Sequence, residues 1–201
     1  MSKSRRSTRD KILDASLSLA GNRSWSSISL SQISGEAGIN PAQLSEFFCS
    51  RNGIVGALIQ RVTAECLREL SPEDQMESSH EILFDTLMTR LDILSRNREA
   101  YSSIIRSMYM HPCDALILLS ELRRGMAWAL EVAGLDSSGF KGRIRVEGLS
   151  AIYVSALVIW LSDTTDGSAK TMSFLDKSLK NAARIEAFLP CGLSPRSDLS
   201  R

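Results

Sequence analysis

Apolar residues recur at helical spacing along almost the whole chain. In the first clear segment, residues 8–20, the apolar face consists of Ile12, Leu13, Ala15, Leu17, Leu19 and Ala20. Gly21 and Asn22, two residues that tolerate positive φ, follow this segment and predict the end of a helix. No stretch alternates between apolar and polar residues in the way that a strand requires. The pattern therefore predicts an all-α fold.

The same pattern predicts about nine helices in two domains. Helices are expected at about 8–20, 29–38, 40–48, 50–70, 80–96, 98–110, 113–133, 140–162 and 168–189. Residues 1–50 then form an N-terminal three-helix domain, 51–70 a connecting helix, and 71–189 a C-terminal helical domain that begins with a polar linker. Residues 190–201 are expected to be a disordered tail, because they are polar and contain Pro and Gly.

The second and third helices have the spacing of a helix-turn-helix motif. Ser29 and Gln32 have the spacing of a capping box, and Asn40 and Gln43 repeat it around Pro41, which suits a first helical position. The intervening residues, Gly38 to Asn40, allow a tight turn. From this pattern alone, a helix-turn-helix and an ordinary αα-hairpin fit equally well.

The exposed residues of the third helix include side chains that can read base edges. Gln43 has the groups needed to pair with adenine, and Ala42 can contact a thymine methyl group, although Gln43 also fits a purely capping role. Five basic residues against one acidic residue occupy positions 1–11, whereas the whole chain has a net charge of +1. This basic arm, which includes Arg5 and Arg6, suggests a polyanion near the N-terminus; a solvated tail is the alternative.

Composition argues against several other classes of protein. The four cysteines form no CxxC pair and there are only two histidines, so we expect no metal site, no disulfide framework and a reducing cytoplasmic location. No apolar segment suits a signal peptide, and the stretch 151–161 is too short to span a membrane. We find no catalytic or nucleotide-binding motif, so we expect neither an enzyme nor a cofactor.

Residues 8–62 resemble the DNA-binding domain of the TetR family of repressors. The matching elements are TRxxIL in the first helix, then ISxxAGIN, then LxxFFxSR before the fourth helix. Departures are Ser45 in place of a usual tyrosine, Cys49 in place of a usual proline, and the acidic Glu46. The resemblance implies that Thr8, Gln43 and Arg51 contact DNA. The full predicted DNA-binding set is Arg5, Arg6, Thr8, Ser29, Asn40, Pro41, Ala42, Gln43, Ser45 and Arg51.

The predicted helix at 140–162 is apolar around most of its circumference. Such a helix is buried on more than one side, either in the centre of the core or between the core and a second subunit. We favour a four-helix dimer interface made by this helix and the last one, which is also the usual TetR arrangement. The predicted interface residues are Leu149, Tyr153, Leu157, Trp160, Leu175 and Leu179.

The helices between 80 and 133 are rich in methionine and aromatic residues, which can line an adaptable pocket. The predicted ligand-binding residues are Phe84, Met88, Tyr101, Ile105, Met108, Tyr109, Met126 and Trp128. Few charged residues interrupt these faces, so the expected ligand is a small apolar or amphipathic effector. Most such stripes are plain core, so each residue taken singly fits core packing better than a ligand contact.

A second resemblance concerns the C-terminal half. Ala151–Lys180 is similar to the lipid-binding accessory proteins of ubiquinone biosynthesis, in the Yx6WLxD run and in the later TMxxLDxxL. The sequence therefore supports two hypotheses. The first is a homodimeric, ligand-responsive repressor that binds a double-stranded operator and whose effector shifts the fourth helix. The second is a protein of the same fold that binds a lipid or isoprenoid and no longer binds DNA.

Overall fold

The structure is a computed structural model that describes residues 2–70 and 78–188, with side chains described for 8–70, 78–165 and 167–185. Its helices are α1 (Ser2–Asn22), α2 (Leu30–Glu36), α3 (Pro41–Ser45), α4 (Arg51–Glu69), α5 (Ser79–Ser95), α6 (Arg98–Met110), α7 (Pro112–Val132), α8 (Gly139–Ser162) and α9 (Ala169–Phe188). Short 3₁₀ turns occupy Trp25–Ser27 and Asp166–Ser168. No strand occurs in these ranges, and the all-α prediction is confirmed. The predicted tail, 190–201, and residues 71–77 of the predicted linker lie outside the described residues.

Two helix boundaries differ from those predicted. Helix α1 begins at Ser2 rather than near residue 8. Residues 2–7 carry no apolar residue, so apolar periodicity could not detect the added turns, although Lys and Arg are good helix formers. Helix α3 ends at Ser45 rather than at 47–48. There the backbone tightens, since the amides of Phe47 and Phe48 both donate to the carbonyl of Leu44.

The first three helices enclose a small core centred on Trp25, Ile33 and Leu44, all of which are buried. This core is continuous with that of the remaining helices. Helix α1 packs along α6, and a hydrogen-bonded bridge reinforces the contact. The hydroxyl of Ser103 in α6 accepts from the amide of Trp25 at 2.9 Å and donates to the carbonyl of Arg23 at 3.0 Å. The N-terminal helices are thus fixed to the C-terminal ones on two sides.

The C-terminal helices surround α4, which packs against α5 and α7, while α8 packs against α7 and α9. The turn between α8 and α9 is organised by the buried carboxylate of Asp163. This carboxylate accepts hydrogen bonds from the amides and hydroxyls of Thr165 and Thr171. The guanidinium of Arg98 donates to the carbonyls of Trp160 and Asp163 and lies 4.3 Å from the centroid of the Trp160 ring. The end of α8 and the start of α9 are thereby held together.

Most of the residues predicted to form a dimer interface lie inside the subunit. Five of the six are buried within a single chain: Leu149, Tyr153, Trp160, Leu175 and Leu179. The sixth, Leu157, is half-buried. The reason is that α9 packs against both α8 and α5 of the same chain, so the stripes chosen from the sequence meet each other and the core. These five side chains are therefore not available to a partner.

The outer face of α8 is apolar as well. Phe140, Ile144, Val154 and Val158 are exposed on it, and no charged residue occurs between Gly148 and Ser162. The sequence predicts no membrane span. In the described ranges, however, α8 is the one helix whose length and composition would allow it to cross a membrane. Because the core helix of a globular protein meets the same criterion, this is weak evidence for a span. The outer face does require an explanation, to which we return below.

Candidate DNA-binding and ligand-binding sites

Helices α2 and α3 are joined by a tight turn with caps at both helix starts. The hydroxyl of Ser29 accepts from the amide of Gln32, and the side-chain oxygen of Asn40 accepts from the amide of Gln43 at 2.8 Å. Both reciprocal bonds of each capping box are present, as the spacing predicts. Gly38 occupies the turn with φ of +66°, a conformation that favours glycine. These features give the pair of helices the geometry of a helix-turn-helix.

Helix α3 buries Leu44 and exposes its remaining four residues, among them Ala42, Gln43 and Ser45. The side chain of Gln43 is not wholly available for base reading, because its amide oxygen accepts from the Asn40 amide at 3.2 Å. An amide oxygen has two lone pairs and can accept a second hydrogen bond. The capping role and the base-reading role of Gln43 are therefore compatible.

Arg51 and Thr8 lie at positions that the TetR resemblance assigns to DNA contact. The guanidinium of Arg51 instead donates within the protein, from Nη1 to the carbonyls of Trp25, Ser26 and Ile28 at 2.9–3.0 Å. It thereby fixes the 3₁₀ turn between α1 and α2 to the start of α4. Thr8 is half-buried on α1.

The described part of the surface around α1 and α3 carries little positive charge. Arg9 is exposed, donates to the side-chain oxygen of Gln60 at 3.1 Å and lies 5.9 Å from the centroid of the Phe48 ring. Glu36 and Glu46 are exposed and acidic. Most of the basic charge belongs to residues 1–11, and the side chains of Arg5 and Arg6 fall outside the described set. Any attraction for a polyanion therefore depends on the N-terminal end of α1.

A cavity of about 550 Å³ lies between α4, α5, α6, α7 and α8. Its volume is within the range of about 300–1,000 Å³ that is typical of small-molecule sites. Four of the predicted ligand-binding residues line it, namely Tyr101, Ile105, Met108 and Tyr109. The other four do not: Phe84 and Met88 pack against the core, Met126 is completely buried, and Trp128 is 52% exposed. They differ because their sides of α5 and α7 face away from the cavity.

Several lining residues were absent from the predicted set. They include apolar side chains of α4 and α7 and the charged Arg90 of α5: Val55, Leu58, Ile59, Val62, Arg90, Leu118, Leu119 and Leu122. Arg90 carries a signal in the sequence. It falls four positions after Thr86, three after Leu87 and four before Leu94, and all three of these residues are buried. An arginine in the buried stripe of a helix is unusual enough to mark a site.

Two buried tyrosine hydroxyls at the cavity, those of Tyr101 and Tyr153, stay protonated at neutral pH. Burial raises the pKa of Tyr101 to about 12, against smaller opposing effects such as that of Arg61. Burial also raises the pKa of Tyr153, although the nearby Arg90 opposes the shift. No group of three His, Cys, Asp or Glu side chains that could hold a metal ion occurs in the described ranges. The cavity is thus an apolar chamber with neutral hydroxyls and one cation.

Helix α4 connects this cavity with the helix-turn-helix. One side of it contributes Leu58 and Val62 to the cavity wall. Another side reaches α1, since Arg61 pairs with Asp14 at 2.6 Å and Gln60 accepts the hydrogen bond of Arg9. The same helix therefore contacts both the cavity and α1.

Solved structures of the same shape are TetR regulators. The chain is 23% identical to the TetR transcriptional regulator of Nitrosomonas europaea, covering 88% of this chain and 98% of that one, with a TM-score of 0.71. A TetR transcriptional regulator from Rhodococcus sp. RHA1 is 17% identical, with 89% of this chain and 98% of that one covered and a TM-score of 0.60. A TetR-family transcriptional regulator from Streptomyces coelicolor is 16% identical, with 90% of this chain and 85% of that one covered and a TM-score of 0.59. At these identities the likeness establishes the TetR fold.

Comparison at the level of sequence gives one local match. The family model described as COQ9 matches residues 143–186, which include most of α8 and α9. This agrees in position with the second resemblance seen in the sequence, at 151–180. No curated protein sequence matches the chain significantly.

Proposed function

We propose that this TetR-fold protein is a ligand-responsive transcriptional regulator that binds a specific DNA sequence as a homodimer and represses the adjacent genes. One observation carries the proposal: a single helix, α4, connects the helix-turn-helix with the apolar cavity, since its Arg51 is bonded to the turn before α2 and its Leu58 and Val62 line the cavity. A protein that served only as a lipid carrier would have no need of a capped, exposed α3 at the far end of that helix. The TetR regulators of the same fold support the same assignment.

The DNA surface in this proposal is the exposed side of α3 together with the start of α1. Ala42, Gln43 and Ser45 would face base edges in the major groove, and Ser29 at the start of α2 would face the phosphates. The basic residues of positions 3–11 would hold the backbone of the duplex. Since Glu46 opposes phosphate and Arg51 is engaged internally, affinity would depend strongly on this arm and would fall steeply with salt.

The outer face of α8 is the dimer surface that we propose in place of the buried residues. It combines exposed Val154 and Val158 with the small residues Gly148, Ala151 and Ser155, and no charged residue follows Gly148 in α8. Isolated exposed apolar residues are ordinary, but a contiguous uncharged face over the C-terminal part of α8, from Gly148 onward, indicates a contact. A two-fold axis at this face would present two α3 helices to half-sites about one turn of DNA apart.

Selective DNA binding is the decisive test. Fluorescence anisotropy with fragments from the regions flanking the gene, including its own upstream region, would be measured across a salt series. We expect saturable, sequence-selective binding that weakens steeply as salt rises. Ala42→Glu should abolish it by placing a charge on the α3 surface. Ala169→Glu, the same exchange at an exposed position at the start of α9, is the control and should bind normally.

A second candidate is a lipid-binding protein that does not bind DNA. The match to the COQ9 family over α8 and α9 favours it, because α8 contributes Tyr153, Val154 and Leu157 to the cavity. If no fragment binds selectively even at low salt, the regulator proposal is wrong. Organic extraction of the purified protein followed by mass spectrometry would then look for a bound lipid.

A further inference from the structure

Arg90 is a buried cation without a counter-ion. Its side chain lies in the wall of the cavity, and the residue is only 2% exposed. Its Nη1 donates to the hydroxyl of Thr63 at 3.0 Å, and the guanidinium lies 5.2 Å from the centroid of the Tyr153 ring. Its Nε is buried without a hydrogen-bond partner. Among the described residues, no carboxylate lies within ion-pairing distance of it.

Nothing around the guanidinium neutralises its charge. Arginine stays protonated in proteins, so Arg90 cannot become neutral as a buried lysine can. The neighbouring Tyr153 hydroxyl and Cys66 thiol are both neutral at pH 7, since burial raises their pKa values, that of Cys66 to about 11. A buried charge is strongly destabilising unless it is paired. The environment therefore favours the arrival of an anion from outside the chain.

The helix opposite Arg90 approaches it unusually closely. At Gly125 of α7, a Cβ atom would lie 2.9 Å from the Thr63 hydroxyl oxygen and 3.2 Å from Nη2 of Arg90. Glycine in the middle of a helix is destabilising relative to alanine. Its presence here is explained by the space that the Arg90–Thr63 pair requires. The guanidinium is thus held in place by α4, α7 and α8 rather than left loose in the cavity.

The rest of the wall is apolar and leads outward from Arg90. Leu58, Leu118 and Leu122 line the interior. The cavity reaches the surface at the corner between α6 and α7, where Tyr109 is 55% and Leu116 is 68% exposed. A molecule that satisfies both ends needs one anionic group for the buried end and an apolar chain for the remainder.

We propose that the cavity binds an amphiphilic carboxylate whose head group pairs with Arg90 and whose chain extends toward the α6–α7 corner. The proposal rests on the proposed function, since it names the chemical class of the effector. The planar guanidinium fork matches the two oxygens of a carboxylate. Among the described lining residues Arg90 is the one that carries a charge, and one cation balances a single negative charge better than the higher charge of a phosphate monoester.

Arg90 and Thr63 would also couple ligand binding in the cavity to the N-terminal helices. A carboxylate that takes hydrogen bonds from Arg90 competes with the Thr63 hydroxyl, which belongs to α4. Changing that bond alters how α5 holds α4, and α4 contacts α1 through the Arg61–Asp14 pair. Occupancy of the cavity and the position of α1 are thereby linked through three helices.

Titration calorimetry on the full chain tests the proposal with three probes of equal chain length: dodecanoate, 1-dodecanol and dodecyl phosphate. Charge-assisted hydrogen bonds are the strong ones, so we expect dodecanoate to bind at least about tenfold more tightly than the alcohol. Arg90→Met should abolish this preference while retaining binding of the alcohol. Arg90→Lys should keep a weaker preference. Arg106→Met, at an exposed position of α6, is the matched control and should behave like the wild type.

Several results would overturn the proposal. Equal affinity for dodecanoate and dodecanol, a carboxylate preference that survives Arg90→Met, tighter binding of dodecyl phosphate, or no binding of any probe each contradicts it. The assay contains no DNA, so its outcome is independent of operator binding. Selective DNA binding without carboxylate binding would refute the effector class alone, whereas carboxylate binding without DNA binding would refute the regulator and favour the lipid-binding candidate.

Discussion

Replacing Arg51 with methionine tests whether this residue stabilises the fold or contacts DNA. The Nη1 group carries two hydrogens, so at most two of its three carbonyl contacts are full hydrogen bonds. A hydrogen bond to a charged group contributes about 1.5–3 kcal/mol. Because Arg51 is half-buried, solvent screens part of this contribution. We expect Arg51→Met to lower the free energy of unfolding by about 2–4 kcal/mol.

Urea unfolding, followed by far-UV circular dichroism at one fixed protein concentration, measures this loss. Arg68→Met, at an exposed position near the end of the same helix, is the matched control, and its stability should stay within about 0.5 kcal/mol of the wild type. The reasoning is refuted if Arg51→Met is as stable as the control yet loses DNA affinity. In that event Arg51 would contact the phosphate backbone, as the TetR resemblance implies.

Two further predictions concern the C-terminal helices. Burial opposes ionisation of Asp163, but hydrogen bonds from two threonines prevail and hold its pKa below the ordinary value. The stability that this carboxylate contributes is therefore complete above about pH 4 and is lost as the pH falls further. In thermal melts across pH 2–7, Asp163→Asn should melt at a lower temperature than the wild type at neutral pH, and the difference should shrink toward pH 2. A difference in melting temperature that stays constant with pH would contradict this. If the proposed dimer forms through the outer face of α8, Val158→Arg should convert it to a monomer in sedimentation velocity, whereas Val132→Arg, at a position of α7 with nearly the same exposure (38% against 39%), should not. A dimer that tolerates Val158→Arg excludes the outer face of α8 as the interface.

The helix boundaries and caps could be predicted because their causes are local. Ser29, Asn40 and Pro41 act within one turn of the chain, and both predicted capping boxes are present in the structure. The bounds of α6, 98–110, were predicted to the residue, since Pro112 follows and stops the helix. The basic start of α1 was not predicted to be helical, because apolar periodicity contains no information about a wholly polar turn.

The orientation of the apolar faces could not be predicted from the sequence. Helix α8 is apolar on two sides, and the sequence does not reveal that Tyr153 and Trp160 face the core while Val158 faces outward. The same difficulty applies to Met126 and Trp128, which are residue types suited to a pocket but lie on different sides of α7, one buried in the core and one exposed. Which side is buried is decided by neighbouring helices that are distant in the sequence.

The Ser103 bridge and the shared core have a consequence for how such proteins exchange parts. A helix-turn-helix module that folded by itself could be transferred between sensors by joining chains in the linker before α4. Here α1 rests on α6, and the turn after α1 is bonded to Ser103, nearly eighty residues further along the chain. A chimaera that keeps only residues 1–50 leaves these surfaces without their complement. A graft of residues 1–50 onto another protein must therefore carry α6 with it, and because α6 also lines the cavity, the N-terminal helices and part of the cavity wall would be transferred together.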